Sequence, residues 1–450
     1  MSAVEAAVEP RSRMPIFLQR GRIGGFLSVV LAGQLTYVSF EAFKGSLLLP
    51  LTEALGIGVD QFGILMGWIG IAMFFYVPGG WVNNRFTIRS ILVAWCSWRL
   101  ATFLILFLVP SLSFNVMVWI AISWAIWDAI GWPAVVNGVA FMAQGDQGKG
   151  RGLAMGLLET LRRGLEFLMN LVVVGVLFVY PEHSVAVMRG FGVGYALLLI
   201  PLIFAILRFV PKNAIAHDEK SGSTNVAALK GLVHVLLQPR LWLAGLAGLA
   251  LYWTYVNLIY SSAPYVKLVY NASDAAAGAF GIFNTGFIGI VAGLVSGLIA
   301  DYVFKSSTMM MGVALTLTAV GAGMVYLLPH DPSMMWPAMI LLMIMAAGIF
   351  MGKAVILAPI AELHLPEEIN GSAMAVGSFL VYASIFWGNP MTAGIVERHK
   401  DNAYVGYQQI FLITLAVAVV GALCAFTLLA INRRIEAKTA HAAASTAPVE

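Results

Sequence analysis

The stretch Gly80-Trp-Val-Asn-Asn84-Arg85-Phe-Thr-Ile-Arg89 lies between two apolar runs, and Gly297-Leu-Ile-Ala-Asp301-Tyr-Val-Phe-Lys305 lies between two others much later in the chain. Each stretch begins with a glycine, has an amide or an acid four residues further on, and ends with a cation. The glycine is expected to let two helices approach closely, and the amide or acid to cap or pair at a helix end. Two such loops in equivalent places predict a chain made of two similar halves.

The composition indicates a membrane protein. Of 450 residues, 60% are apolar and 11% are charged, whereas soluble proteins carry about 25% charged residues. This composition excludes a soluble enzyme and a disordered scaffold, and the net charge of +4 is too small for a nucleic-acid-binding module. The sequence shows no ATP-binding motif, nucleophile constellation or metal-ligand cluster, so we expect no enzyme activity and no cofactor.

Membrane crossings need about twenty mostly apolar residues each. Twelve runs satisfy this and are numbered here as spans 1 to 12: 24–51, 60–83, 88–110, 113–143, 152–180, 187–211, 237–266, 275–302, 306–328, 334–360, 369–396 and 403–431. The fold is therefore predicted to be an all-α membrane protein.

The basic residues predict the orientation, since cytoplasmic loops carry an excess of Lys and Arg. Only Arg189, Lys267, Arg398 and Lys400 lie in loops on one side, and that side is predicted to be outside. The predicted organisation is a cytoplasmic N-terminal tail (1–23), an N-terminal six-helix bundle (24–211), a cytoplasmic linker (212–236), a C-terminal six-helix bundle (237–432) and a cytoplasmic tail (433–450). Both termini are thus expected to be cytoplasmic.

The two loops resemble the signature of the major facilitator superfamily between helices two and three and its repeat between helices eight and nine. Gly131-Trp-Pro133 and Gly150-Arg-Gly152 are similar to the organophosphate:phosphate antiporter family. Its YihN-like branch is matched most closely, by Glu159-Thr-Leu-Arg162 and by Ala358-Pro-Ile followed by Glu362. The resemblance implies twelve transmembrane helices in two six-helix pseudo-repeat bundles, with helices one, four, seven and ten lining a central cavity.

The chain departs from this family at functionally important positions. Asn84 stands where the superfamily usually has Asp, which weakens a charge-based gating latch. The two arginines with which the antiporters hold phosphate fall at Ala42 and Tyr255, and their central His on helix five falls near Arg162. The resemblance therefore does not carry phosphate-ester exchange over to this chain. The candidate gating-loop residues are Gly80, Asn84, Arg85, Gly297, Asp301 and Lys305.

Charged residues in the interior of the spans mark the candidate site, because each costs roughly 2.5–3.5 kcal/mol at mid-bilayer on insertion scales. The cations are Lys44, Arg99, Arg162, Arg163 and Lys353, and the acids are Glu41, Asp128, Glu159 and Glu166. Arg162 lies ten residues into span 5 and is therefore about 15 Å deep, close to the midplane, at a rise of about 1.5 Å per residue. Guanidinium groups suit carboxylate, phosphate and sulfonate ligands.

Several of these charges have a purely structural alternative. Glu159, Arg162, Arg163 and Glu166 share one stripe of span 5, which can be a self-neutralised packing seam. Glu41 can neutralise Lys44 on span 1. Lys353, which follows Gly348 and Gly352, can extend to the inner membrane surface. Arg99 and Asp128 are interpreted as a buried ion pair, although Asp128 or Glu159 can instead couple to a proton.

Aromatic and amide side chains complete the candidate site. Tyr37, Tyr255 and Tyr382 lie on cavity-lining or adjacent spans and suit a polyhydroxylated or carboxylated solute, and the alternative interpretation is packing. The predicted substrate ligands are Lys44, Arg162, Lys353, Tyr37, Tyr255 and Tyr382. The predicted proton-coupling or ion-pair residues are Glu41, Asp128, Glu159, Arg99, Arg163 and Glu166.

The sequence predicts a monomeric secondary active transporter for a small organic anion in the bacterial inner membrane, working as an antiporter or proton symporter. The anion would resemble a sugar phosphate, a sulfonate or a carboxylate. Two alternatives remain open: a transporter-like sensor of such an anion, and an exporter of neutral or cationic compounds.

Overall fold

The computed structural model describes residues 16–19, 21–37, 40–75, 79, 82–83, 85–142, 151–212, 236–363, 365 and 367–445. Most of the predicted N-terminal tail, nearly all of the predicted linker, Gly80 and Asn84 lie outside these ranges. Glu41, Lys44, Glu159 and Asp301 belong to helices, but their side chains lie outside the described part of the chain.

The described residues are almost entirely helical and contain no β-strand. In chain order the helical segments are Ile16–Leu18, Ile23–Ala32, Gly33–Tyr37, Glu41–Leu55, Val59–Gly70, Ile71–Phe75, Ile88–Leu108, Phe114–Met142, Arg151–Val179, Pro181–His183, Ser184–Leu197, Leu199–Phe209, Pro239–Ser261, Ala263–Tyr270, Asp274–Gly281, Ile282–Phe287, Ile288–Leu298, Ile299–Phe304, Ser307–Tyr326, Pro332–Met334, Met335–Ala354, Ala358–Ala361, Glu367–Tyr382, Ser384–Arg398, Lys400–Asn402 and Ala403–Ser445.

Each of the twelve predicted spans overlaps at least one of these helices. Within the described ranges, nine helices are long and apolar enough to cross a membrane, or ten if the bent pair Leu47–Leu55 and Val59–Phe75 is one span. Span 1 falls short because its first helix, Ile23–Tyr37, is too short, and because a non-helical residue, Leu47, interrupts the next helix, Glu41–Leu55. Span 5 is a continuous helix of 29 residues, Arg151–Val179, but its charges make it less apolar.

The two halves pack together at the ends predicted to face outside. Span 2 packs closely on span 11: a Cβ on Gly63 would collide with Ala393, and one on Gly67 would lie 3.1 Å from the backbone oxygen of Phe386. The first helix of span 8, Asp274–Gly281, packs on Glu41–Leu55 of span 1 and also on span 5. Small residues therefore permit close contact between the backbones of opposite halves.

A carboxylate fixes the start of span 9. Glu362, in the turn after span 10, accepts hydrogen bonds from the backbone N–H groups of Ser307 and Thr308, the latter at 3.0 Å. It also accepts one from the Thr308 hydroxyl at 2.6 Å. An anion at the first turn of a helix satisfies N–H groups that have no partner within the helix and interacts favourably with the helix dipole.

We predict that Glu362→Ala lowers the thermal unfolding midpoint of the purified protein, because the cap contributes about 1–2 kcal/mol. Scanning fluorimetry in detergent measures the change. The control is Glu436→Ala, which removes an exposed carboxylate from the last helix. Equal midpoints for the two variants would contradict this role of Glu362.

Candidate functional site

Arg162 lies against two stacked aromatic rings from spans 1 and 4. Its guanidinium carbon is 4.5 Å from the ring centroid of Trp132 and 6.0 Å from that of Tyr37. The two rings are themselves stacked, with their centroids 4.9 Å apart and an interplanar angle of 25°. A cation over aromatic faces is attracted by the ring quadrupoles, so three spans hold one guanidinium group in place.

The local sequence explains how Trp132 reaches this position. Span 4 is one helix, Phe114–Met142, with Pro133 inside it. Its neighbour Gly131 approaches Trp95 of span 3 so closely that a Cβ would collide with the indole ring. Sequence reasoning used Gly131-Trp-Pro133 for its family likeness and missed Trp132 as a site residue. The sequence feature that could have identified Trp132 is its position as an aromatic residue beside a proline, which distorts helices, on a span expected to line the cavity.

Buried polar groups lie between spans 1 and 6. The buried Tyr195 donates a hydrogen bond to the backbone oxygen of Gln34 at 3.5 Å. Gln34 is 1% exposed, and its side-chain amide has no hydrogen-bond partner within the described ranges. Gln34 belongs to the π-helical segment Gly33–Tyr37, a conformation that is frequent at functional sites.

Lys353 lies in a second aromatic cluster, contributed by spans 7, 10 and 11. Its ammonium nitrogen is 3.3 Å from the ring centroid of Tyr255 and 5.7 Å from that of Tyr252. Tyr252 in turn makes an edge contact with Tyr382, with centroids 5.0 Å apart. Lys353 thus directs its charge towards the predicted site residue Tyr255, and Tyr252 links this contact to the predicted site residue Tyr382. Tyr252, which joins them, was not among the predicted site residues.

Glycines bring span 10 close to its neighbours near Lys353. A Cβ on Gly348 would lie 2.7 Å from the Thr318 backbone nitrogen, and one on Gly352 would lie 2.6 Å from Leu251. Span 10 therefore packs closely on spans 7 and 9 beside Lys353.

Arg99 and Asp128 form a closed ion pair between spans 3 and 4. Arg99 Nη2 and Asp128 Oδ1 are 2.6 Å apart, and both side chains are 2% exposed. The same carboxylate oxygen accepts a hydrogen bond from the Trp95 indole at 2.9 Å, and the guanidinium lies 4.2 Å from the Trp124 ring centroid. The pair is neutral and enclosed, so its geometry fits a structural role.

The remaining candidates are dispersed. Arg163 and Glu166 are half-buried on span 5, and Arg85 and Lys305 are exposed at the ends of spans 2 and 8. Among the described residues, a Cβ on Gly297 would meet no atom within 4 Å, so the structure shows no close approach there. In the first loop it is Asn83 that anchors the chain, donating to the backbone oxygens of Gly79 and Ile130 at 2.9 Å each.

Comparison with known proteins identifies the class. The model of the Major Facilitator Superfamily matches residues 29–389, and the chain belongs to this superfamily of membrane transporters. The predicted superfamily and fold class are thereby confirmed. Among curated proteins, the inner membrane protein YihN of Escherichia coli (strain K12) is 25% identical over 301 residues, which cover 66% of this chain and 69% of YihN. This relative agrees with the predicted branch.

Solved structures show the same fold. A bacterial homologue of the human lysosomal transporter Spinster, in an inward-facing and unoccupied conformation, has a TM-score of 0.68 and 14% identity, covering 92% of this chain and 98% of that one. A mutant of the nucleoside transporter NupG has a TM-score of 0.70 and 13% identity, covering 90% of this chain and 99% of that one.

We predict that Asp128→Ala destabilises the protein strongly, by about 3–5 kcal/mol, because it leaves a buried guanidinium without its carboxylate. The double variant Arg99→Ala/Asp128→Ala should be less destabilised, since it removes both charges. Thermal unfolding midpoints of the three proteins in detergent provide the measurement. A double variant less stable than the single variant would show that the pair does not act as one unit.

Proposed function

We propose that the protein is a secondary active transporter, not an enzyme, that moves a small organic anion across the bacterial inner membrane by alternating access. It acts as a monomer with both termini in the cytoplasm, and the gradient of a second solute or of protons drives it. The anion carries a phosphate, sulfonate or carboxylate group on a small, hydroxyl-rich body. The proposed bundles are residues 24–211 and 237–432, joined by a cytoplasmic linker.

The observation that carries this proposal is one aromatic-lined cation in each half of the molecule. Arg162 lies over Trp132 and Tyr37 in the N-terminal half, and Lys353 lies over Tyr255 in the C-terminal half. Tyr37, Trp132, Tyr255 and Lys353 come one each from spans 1, 4, 7 and 10, the spans that line the cavity in this fold. An anion between the halves would gain favourable interactions with both cations.

The contacts between the halves support alternating access. Spans 2 and 11 pack through Gly63, Gly67 and Ala393 at the end proposed to face outside. A seam of small side chains permits two bundles to separate and close again as rigid bodies. Lys44 and Glu41 belong to span 1 near this end, and we propose Lys44 as a further ligand of the anion. Asp301 is proposed to act in the gating loop. Glu159 is proposed to couple transport to a proton.

One observation favours a second candidate, a transporter of neutral solutes. The stacked Tyr37 and Trp132 rings and the Tyr252, Tyr255 and Tyr382 cluster are the surfaces on which a sugar or a base packs. A solved neighbour of the same fold is described as a nucleoside transporter. The two proposals differ in whether the cations contribute to binding.

Arg162→Ala is expected to reduce uptake of the anion into proteoliposomes by roughly 30-fold or more, since a charge-assisted contact to the substrate is lost. Arg162→Lys should retain part of the activity, and Lys353→Ala should also impair uptake. The control is Arg434→Ala, an exposed cation on the last helix. Normal uptake by folded Arg162→Ala protein would refute the proposed site.

Thermal stabilisation by a panel of ligands distinguishes the proposed anion transporter from the neutral-solute candidate. Sugar phosphates, sulfosugars and sugar acids should raise the unfolding midpoint of the purified protein in proportion to ln(1 + [L]/Kd), and the neutral parent sugars and nucleosides should not. The neutral-solute candidate would be favoured if the neutral compounds stabilise the protein and if Arg162→Ala does not change this stabilisation. A ligand that stabilises the protein but is not taken up by vesicles would favour a sensor.

A further inference from the structure

A groove between spans 3 and 6 lies at the membrane surface proposed to be cytoplasmic. Its volume is about 460 Å³, within the range of about 300–1,000 Å³ that is typical of ligand sites. The walls are apolar, with Val93 and Ala94 from span 3 and Leu207 from span 6. The mouth is polar and basic, and includes Arg89 and Lys212.

No acid among the described residues is paired with either of the two cations at the mouth. Within the described part of the chain, neither Arg89 nor Lys212 forms an ion pair. The sequence contains no Asp or Glu between Arg85 and Asp128, or between His183 and Asp218, so spans 3 and 6 supply no carboxylate near the groove. The hydroxyls of Thr87 and Ser90, which also line the groove, hydrogen-bond to each other at 2.9 Å.

We propose that this groove binds the headgroup of an anionic phospholipid. The phosphate would lie between Arg89 and Lys212, and the first part of an acyl chain would lie along Val93, Ala94 and Leu207. The Leu207 side chain is 40% exposed, so an acyl chain can reach this wall. Basic pockets between transmembrane helices on the cytoplasmic side are known to suit anionic headgroups, whereas free phosphate would use the mouth of the groove alone.

The test measures how added lipid changes the unfolding midpoint of the detergent-purified protein. Phosphatidylglycerol should stabilise the wild type more than phosphatidylethanolamine with the same acyl chains, and inorganic phosphate should stabilise it little. Arg89→Ala/Lys212→Ala should need at least about tenfold more phosphatidylglycerol for half of the effect, since each surface cation contributes to attraction of anionic lipid. The control, Arg434→Ala/Lys438→Ala, also loses one Arg and one Lys, and it should respond like the wild type.

A second variant tests the groove without changing the charge. Ala94→Phe fills the apolar part of the groove and should also weaken the response to phosphatidylglycerol, while the midpoint without lipid shows that the variant is folded. The proposal is overturned if the Arg89/Lys212 variant responds like the wild type, or if the Arg434/Lys438 variant loses as much response. Equal stabilisation by inorganic phosphate would also overturn it, because a free anion would then be the ligand.

Discussion

Inserting a charged side chain at the centre of a bilayer costs roughly 2.5–3.5 kcal/mol of free energy on insertion scales. This protein offsets that cost in two ways. Arg99 is neutralised by Asp128 in an enclosed pair. The second way is contact with aromatic rings, which Arg162 and Lys353 both make. A desolvated cation–π contact contributes about 2 kcal/mol, which is less than the insertion cost. Other groups around each cation have to supply the remainder, and the proposed function assigns part of it to a bound anion.

The two aromatic clusters occupy equivalent places in the duplicated halves. Trp132 on span 4 and Lys353 on span 10 each follow a glycine, and they lie at the same distance from the starts of their helices, Phe114 and Met335. Tyr37 on span 1 and Tyr252 on span 7 also lie at nearly the same number of residues from the starts of their helices, Ile23 and Pro239. Each half therefore builds a cation beside aromatic rings on the same scaffold. In the N-terminal half span 5 supplies the cation, whereas in the C-terminal half span 10 supplies it.

Much of the fold could be predicted from the sequence because apolar length is a strong signal, and all twelve predicted spans overlap helices. The Arg99–Asp128 contact could also be predicted, because the two residues have similar estimated depths and their spans are neighbours in the chain. The arrangement around Tyr37 could not be predicted from the sequence. The π-helical turn Gly33–Tyr37 changes the helical phase, so the ordinary i, i+3 spacing does not say that Gln34 is buried while Tyr37 stacks on Trp132. Gly297 shows the same limit, since close approach depends on a neighbour that the sequence does not identify.

Under the proposed function, the division of the two cations between opposite halves links binding to movement. An anion that lies between Arg162 and Lys353 when the halves are closed gains a favourable interaction with each cation, so under this proposal it favours closure more than it favours the open state. Differential affinity of this kind is what a ligand needs in order to shift a conformational equilibrium. Under the proposed function, a carrier that closes readily only when an anion is bound returns most easily with a second anion bound.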